Sequence, residues 1–177
     1  MTKIILISIP ILFIIGSLLH YAYAFFNNSK LIGIFTPVNE SIFEHSKLLL
    51  TPLILFWGML FLFVKNNINY NSFFFAMLIS IVVSIATMIA FYYTYKGSLG
   101  NNYELMNILD LLVSLIVGQV VASHVYTYSY NVPYYFSIAL IVIIFALFIY
   151  LTFKPIKIPL FFDKKSKTFG INKNKES

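Results

Sequence analysis

The sequence predicts an all-α integral membrane protein: a five-transmembrane-helix bundle with short loops, N-out/C-in, carrying an extended basic cytoplasmic tail. Of its 177 residues, 60% are hydrophobic and 10% are charged. Soluble domains run at about 45–50% and about 25%. Five apolar runs are each long enough to cross a bilayer as a helix, which takes about 20 residues. Helix is the element to expect, because an open strand leaves its backbone unpaired in lipid and no alternating barrel pattern occurs. Together these exclude a soluble globular domain, a disordered chain and a fibrous repeat. Five spans use roughly 100 residues, and the remainder is too short for a further soluble domain of ordinary size.

The first run, Ile4–Phe26, follows Lys3 and contains Ala22-Tyr23-Ala24, the outline of a secretory signal with its cleavage site. It is longer than a signal core, so we take it as a retained first span. Asn27-Asn28-Ser29 ends it. The second run is Leu48–Val64, closed by Asn66-Asn67. The third, Ser72–Tyr95, carries Ala76, Ser80 and Ser84 at four-residue spacing, a small-residue stripe suited to close helix packing. Lys96-Gly97-Ser98 is expected to break it. The fourth, Tyr103–Tyr128, carries a polar stripe of Tyr103, Asn107, Asp110 and Ser114 beside Gly118. After Asn131-Val132-Pro133 the fifth run is Tyr134–Phe153. Residues 1–153 thus read as one transmembrane domain with spans at 4–26, 48–64, 72–95, 103–128 and 134–153. Residues 154–177 read as a basic cytoplasmic tail, which Pro155 and Pro159 make extended rather than helical.

Lysines set the expected orientation. With the tail inside, Lys30, Lys47, Lys96 and seven tail lysines lie on the inner side, and Lys3 and Lys65 on the outer. The +6 net charge therefore reflects one basic segment, suited to anionic lipid headgroups and not to nucleic acid. The expected partner is the bilayer itself; the sequence fixes no oligomeric state. The chain is rich in Ile, Phe, Asn, Tyr and Lys and has no Arg, a composition that points to an AT-rich bacterial genome and hence to the bacterial cell membrane. Without cysteine there is no disulfide, thiolate metal site or thiol nucleophile.

Ionisable residues in or beside spans are costly and mark candidate sites. Here they are His20, Glu40, Glu44, His45, Glu104, Asp110 and His124. Span parity puts all but His124 in one membrane half. His124 lies fourteen residues past Asp110, about 21 Å along a helix. Ser41-x-x-Glu44 reads as a capping box, and Glu44 and Lys47 are spaced to pair. If the second helix begins at Thr36-Pro37, Glu40 and Glu44 share a face and repel. A cation, a shared proton or a bend at Ser41 would relieve them.

Neutral imidazole with carboxylate is the ligand set of hydrolytic zinc sites and of other divalent metals. The candidate ligands of such a metal, Zn for example, are His20, Glu44, His45 and Asp110, with Glu40 as general base. No HExxH motif is present. Three functions stay open. A non-catalytic accessory or scaffold role leads, because each polar residue has an adequate local use. A membrane-embedded metal-dependent hydrolase is the alternative, and a small proton-coupled carrier is a further one.

The run from Phe35 to Pro52, with Pro37-Val-Asn-Glu-Ser41 and Glu44-His45 at its core, resembles an uncharacterised family of small multi-pass membrane proteins of Firmicutes and related bacteria. Gly16-Ser-Leu-Leu-His20, Tyr92–Gly100 leading to Asp110, and Pro159–Asp163 followed by Phe169-Gly170 are similar to the same domain of unknown function. Phe43 stands where that family has Trp, Lys164 where it has Pro and Phe169 where it has Tyr. The resemblance implies the multi-pass architecture and an ordered segment around Asp163, and it supplies no activity.

Overall fold

The computed structural model describes residues 1–100, 103–128 and 132–171. Seven α-helices follow in order: α1 Thr2–Phe25, α2 Lys30–Phe35, α3 Ile42–His45, α4 Lys47–Val64, α5 Tyr70–Leu99, α6 Glu104–Tyr128 and α7 Tyr134–Phe153. A two-stranded hairpin, β1 Phe162–Asp163 with β2 Thr168–Phe169, closes the described chain. Five helical segments are long and apolar enough to cross a membrane: α1, α3–α4 together with the turn to Asn67, α5, α6 and α7. The protein is a multi-pass, all-α membrane bundle.

α5 and α6 pack together along most of their length, α1 lies against α6 and α4, and α7 lies against α5. Outward apolar side chains face where lipid would be. On α1 these are Ile7, Ile11, Ile14 and Leu18, one stripe at helical spacing. The small-residue stripe of α5 does what its spacing predicts. Ala76, Ser80 and Ser84 are fully buried, and Gly118 of α6 sits against the last two. A Cβ at Gly118 would come within 2.9 Å of the Ser80 carbonyl oxygen, so the two backbones touch.

A polar chain crosses this core. The Ser80 hydroxyl donates to Gln119 Oε1 at 2.9 Å, and Gln119 Nε2 donates to the Ser8 hydroxyl at 2.9 Å. Ser8 in turn donates to the Ile5 carbonyl at 2.6 Å. All four side-chain atoms are thereby satisfied, and α5, α6 and α1 are tied at one level. Gln119 is not ionisable, so it carries none of the charge that marks candidate residues in the spans.

Several boundaries differ from expectation. α5 runs through Lys96-Gly97-Ser98 and stops at Gly100, which adopts the left-handed conformation (φ 73°) that ends helices. The first span does turn at Asn27 and Asn28, both at positive φ (54° and 56°), a conformation asparagine tolerates. The chain then forms α2, a helix of six residues that no periodicity announces. The second helix starts at Ile42 instead of Thr36-Pro37. Ser41 is its N-cap in extended conformation, so Glu40 precedes the helix and does not share a face with Glu44. Asn131, Lys173 and Lys175 lie outside the described residues.

Replacing Gly118 by Val would wedge a Cβ and two methyl groups between α5 and α6. Overpacking of this kind costs about 1–3 kcal/mol. The expected outcome is a lower melting temperature in detergent, read by circular dichroism, with Gly58→Val as the control because Gly58 faces open space.

Candidate metal centre at one end of the bundle

The centre is built on an anchored loop. Lys47, the first residue of α4, is wholly buried (0% exposed), and so is Glu44 (2%). They pair at 2.7 Å. The Lys47 ammonium also donates to the carbonyls of Gly33 at 2.6 Å and Thr36 at 3.4 Å, which uses all three of its donors. Those carbonyls belong to the end of α2, whose last turn has no intrahelical partners for them. Thr51 donates to the Phe35 carbonyl at 2.7 Å in the same way. Glu44 accepts from the Val38 N–H at 3.1 Å and from Thr152 of α7 at 3.1 Å. One ion pair therefore joins α2, residues 36–41, α4 and the end of α7.

The capping box is half formed. The Ser41 hydroxyl accepts from the Glu44 N–H at 3.3 Å. The Ser41 N–H donates to Asn39 Oδ1 at 2.9 Å and leaves the Glu44 carboxylate to Lys47. Asn39 Nδ2 also donates to the Gly170 carbonyl at 2.8 Å. Residues 154–171 thus fold back onto the loop. Phe161 is buried with its ring 4.4 Å from that of Phe43, which stacks on Phe148 of α7 at 4.6 Å.

Three ligand-capable side chains meet on this frame. His20, Glu40 and His45 each offer one atom, and the three atoms lie within 4.8 Å of one another. Glu40 Oε1 is 3.9 Å from His20 Nε2, and Glu40 Oε2 is 3.6 Å from His45 Nε2. The imidazole rings stand 5.2 Å apart. His45 Nδ1 lies 3.1 Å from the Ser41 carbonyl, which can only accept. A proton therefore sits on Nδ1, and in the neutral ring Nε2 presents its lone pair to Glu40 and His20, the arrangement by which backbone orients metal-binding histidines.

His20 arrives through α1. Gly16, one turn earlier, has the Leu48 carbonyl oxygen 2.7 Å from where a Cβ would be. Pro52 cannot donate to that carbonyl, so α1 and α4 approach at an interrupted turn. The side chains of His20, Glu40 and His45 are 30%, 39% and 13% exposed, so the cluster opens to the surface.

Beside it is a cleft lined by Glu40, Ile42, His45, Met88, Tyr92, Asn107 and Asp110. Its free volume is about 10 Å³, the room one water needs. Asp110 is buried there and accepts from Ser114 at 3.1 Å. Asn107 accepts from the Tyr95 hydroxyl, and the Tyr92 hydroxyl accepts from Lys96 at 2.7 Å. Of the five residues singled out by sequence, His20, Glu40 and His45 come together and Asp110 faces the adjoining cleft. Glu44 is turned away into its ion pair.

Two further contributors lie outside the set of candidate ligands. Asn39, part of the Pro37–Ser41 core that carries the resemblance, fastens the Glu40 loop to the C-terminal segment. Asp163 lies within electrostatic reach of His45 and Tyr92. Its carboxylate holds the hairpin turn, accepting from the Lys165 N–H at 2.8 Å and Ser166 at 2.6 Å.

The chain belongs to a family of unknown function, DUF6512, whose pattern matches residues 1–171. That span takes in all five helical segments, both histidines of the cluster and the C-terminal hairpin. No curated protein and no solved structure matches the chain.

Glu44→Gln leaves Lys47 buried without its counter-charge, a change that costs about 3–5 kcal/mol. Replacing both residues by apolar ones of similar volume, Glu44→Leu with Lys47→Met, removes the uncompensated charge. Thermal unfolding in detergent should therefore show the single variant as the less stable of the two, although the double variant loses more hydrogen bonds.

Proposed function

We propose that this protein is a membrane-embedded metal-dependent hydrolase in which His20, Glu40 and His45 hold one divalent ion, zinc by preference. The observation that carries this is the convergence of two imidazole nitrogens and one carboxylate oxygen within 4.8 Å. Two histidines and a carboxylate are a recurring protein ligand set of catalytic zinc, leaving the fourth position for water. Ligand atoms bonded at about 2.0–2.1 Å to a tetrahedral ion lie roughly 3.3 Å apart. The 3.6 and 3.9 Å separations, each to a different Glu40 oxygen, and the 4.8 Å limit on the whole set must close to that value by side-chain rotation.

An ion bound there supplies a Lewis acid and lowers the pKa of its water toward neutrality. The chain's own groups do the rest. Glu40, a general base in the sequence-based scheme, becomes a ligand, and Asp110, a ligand in that scheme, becomes the base. It faces a cleft of one-water size next to His45, held in orientation by Ser114. The accessory-protein alternative accounts for Glu44, whose partners are structural, and gives the three converging ligand atoms no use. By the lysine count the protein lies N-out/C-in in the bacterial cell membrane, with the site on the cytoplasmic side and the basic tail against anionic headgroups.

Protein purified in detergent and equilibrated with zinc should retain about one ion per chain by mass spectrometry. His20→Ala and His45→Ala should each abolish retention while the helical circular dichroism persists. A protein that stays metal-free and melts identically with and without zinc would contradict the proposal. Asn39→Ala removes the tie between the Glu40 loop and Gly170, so zinc affinity should fall about tenfold or more, the usual effect of losing an outer-shell partner. Competition titration with a chromophoric chelator measures it.

A further inference from the structure

We infer that the substrate of this centre is a membrane-resident amphiphile ending in a phosphomonoester. The assignment rests on the metal centre proposed above and names what that centre acts on.

Charge around the mouth is the first ground. Tyr92 lines the cleft, and the Lys96 ammonium bonds its hydroxyl at 2.7 Å and lies 4.5 Å from its ring centre. Lys164, exposed on the hairpin turn, is within electrostatic reach of the same phenol. Lys165 and Lys167 are exposed on that turn as well. Of the nearby acids, Glu44 is paired with Lys47, Asp163 accepts only from the neutral Lys165 N–H and Ser166 hydroxyl, and Asp110, the base, lines the cleft itself. The ligand Glu40 and the base Asp110 together offset the two charges of a divalent ion, so the excess positive charge at the mouth comes from the lysines. Lys96 and Lys164 make a mouth suited to a dianion. The chain has no Arg, so recognition rests on ammonium point charges and the ion and not on a planar guanidinium fork. That suits a terminal phosphate, whose three equivalent oxygens need no single plane.

Space is the second ground. The cleft has room for a water and for no acyl chain or sugar ring. The scissile group must therefore be the end of the molecule, presented at the mouth while the rest stays outside. Lipid-facing helix surface lies close by. His20 lies five residues from the end of α1, about 7.5 Å along the helix, and the apolar stripe of that helix passes beside it. An amphiphile with its chain in the leaflet and its phosphate at headgroup depth meets both conditions.

The step balances without any redox partner. A water oxygen forms the new P–O bond and the ester P–O bond breaks. The proton taken by Asp110 passes to the departing alkoxide, giving the lipid alcohol and inorganic phosphate.

The test uses zinc-loaded full chain in mixed micelles with dioleoyl phosphatidate, followed by release of inorganic phosphate. In parallel, cobalt-loaded protein is titrated with inorganic phosphate and the phosphorus resonance is observed. The expected results are phosphate release from the lipid and paramagnetic broadening of the resonance that excess zinc reverses. Lys96→Ala and Lys164→Ala should each raise KM for the lipid about tenfold, the worth of one charged hydrogen bond, with zinc content unchanged. Three outcomes overturn the inference. They are metal-loaded protein that neither releases phosphate nor broadens its signal, cleavage of the neutral ester p-nitrophenyl butyrate in place of the phosphate, and equal turnover of water-soluble p-nitrophenyl phosphate. The last would move the substrate out of the membrane. In all three the ion is still bound, so they are distinct from failure of the metal centre, which shows as zinc that does not bind.

Discussion

The arrangement of this end of the bundle depends on one buried ion pair. Glu44 and Lys47 sit at i,i+3 where α3 turns into α4, and both are inaccessible to solvent. Charges so placed are tolerable only when every donor and acceptor finds a partner. Those partners are the structure around them: the end of α2 through Gly33 and Thr36, the loop through Val38, and α7 through Thr152. The loop from residue 36 to residue 41 consequently has a fixed path in place of a helical one. Glu40 stands near its end, one residue before Ser41, the N-cap of the helix that carries His45.

The same constraint separates acids that sequence alone places together. Glu44 is consumed in holding the frame, and Glu40 is left half exposed and aimed at two imidazoles. The cluster draws on two distant points of the chain. His20 reaches it because Gly16 lets α1 approach α4 closely, and the His45 ring is set by the Ser41 carbonyl. The C-terminal segment adds a third point of control through Asn39 and the Phe43–Phe161 contact. Fold and site are thus one network, in which the costly buried charges hold the frame and the accessible groups are free for chemistry.

The five spans were legible because apolar length is a strong one-dimensional signal that survives any packing. The Ala76–Ser84 stripe was legible because small residues at four-residue spacing have one main use. Membership of one membrane half for His20, Glu40, His45 and Asp110 followed from counting spans, and their depth is consistent with the cleft. What failed was local geometry. Lys96-Gly97-Ser98 looked like a break because its residues are turn formers, yet the helix continues to Gly100, where the positive φ falls. Glu40 and Glu44 looked like neighbours on a helix because Pro37 suits a first turn, but Ser41 caps the helix later. The fate of Glu44 hinged on whether Lys47 faces inward, and spacing alone does not decide that. No role could be assigned to Gln119 or Asn39 because neither is ionisable, and their roles exist only through partners over a hundred residues away.

The central claim is that His20, Glu40 and His45 form one ligand set. X-ray absorption at the zinc edge, on protein loaded with one equivalent of zinc, tests it most directly. The account predicts a first shell of four light atoms at about 2.0–2.1 Å with the multiple-scattering signature of two imidazoles. In His45→Gln protein that signature should be lost, because the ion is no longer held at the site. A shell made only of oxygen at the longer distances of a hydrated surface ion, unchanged by that substitution, would contradict it.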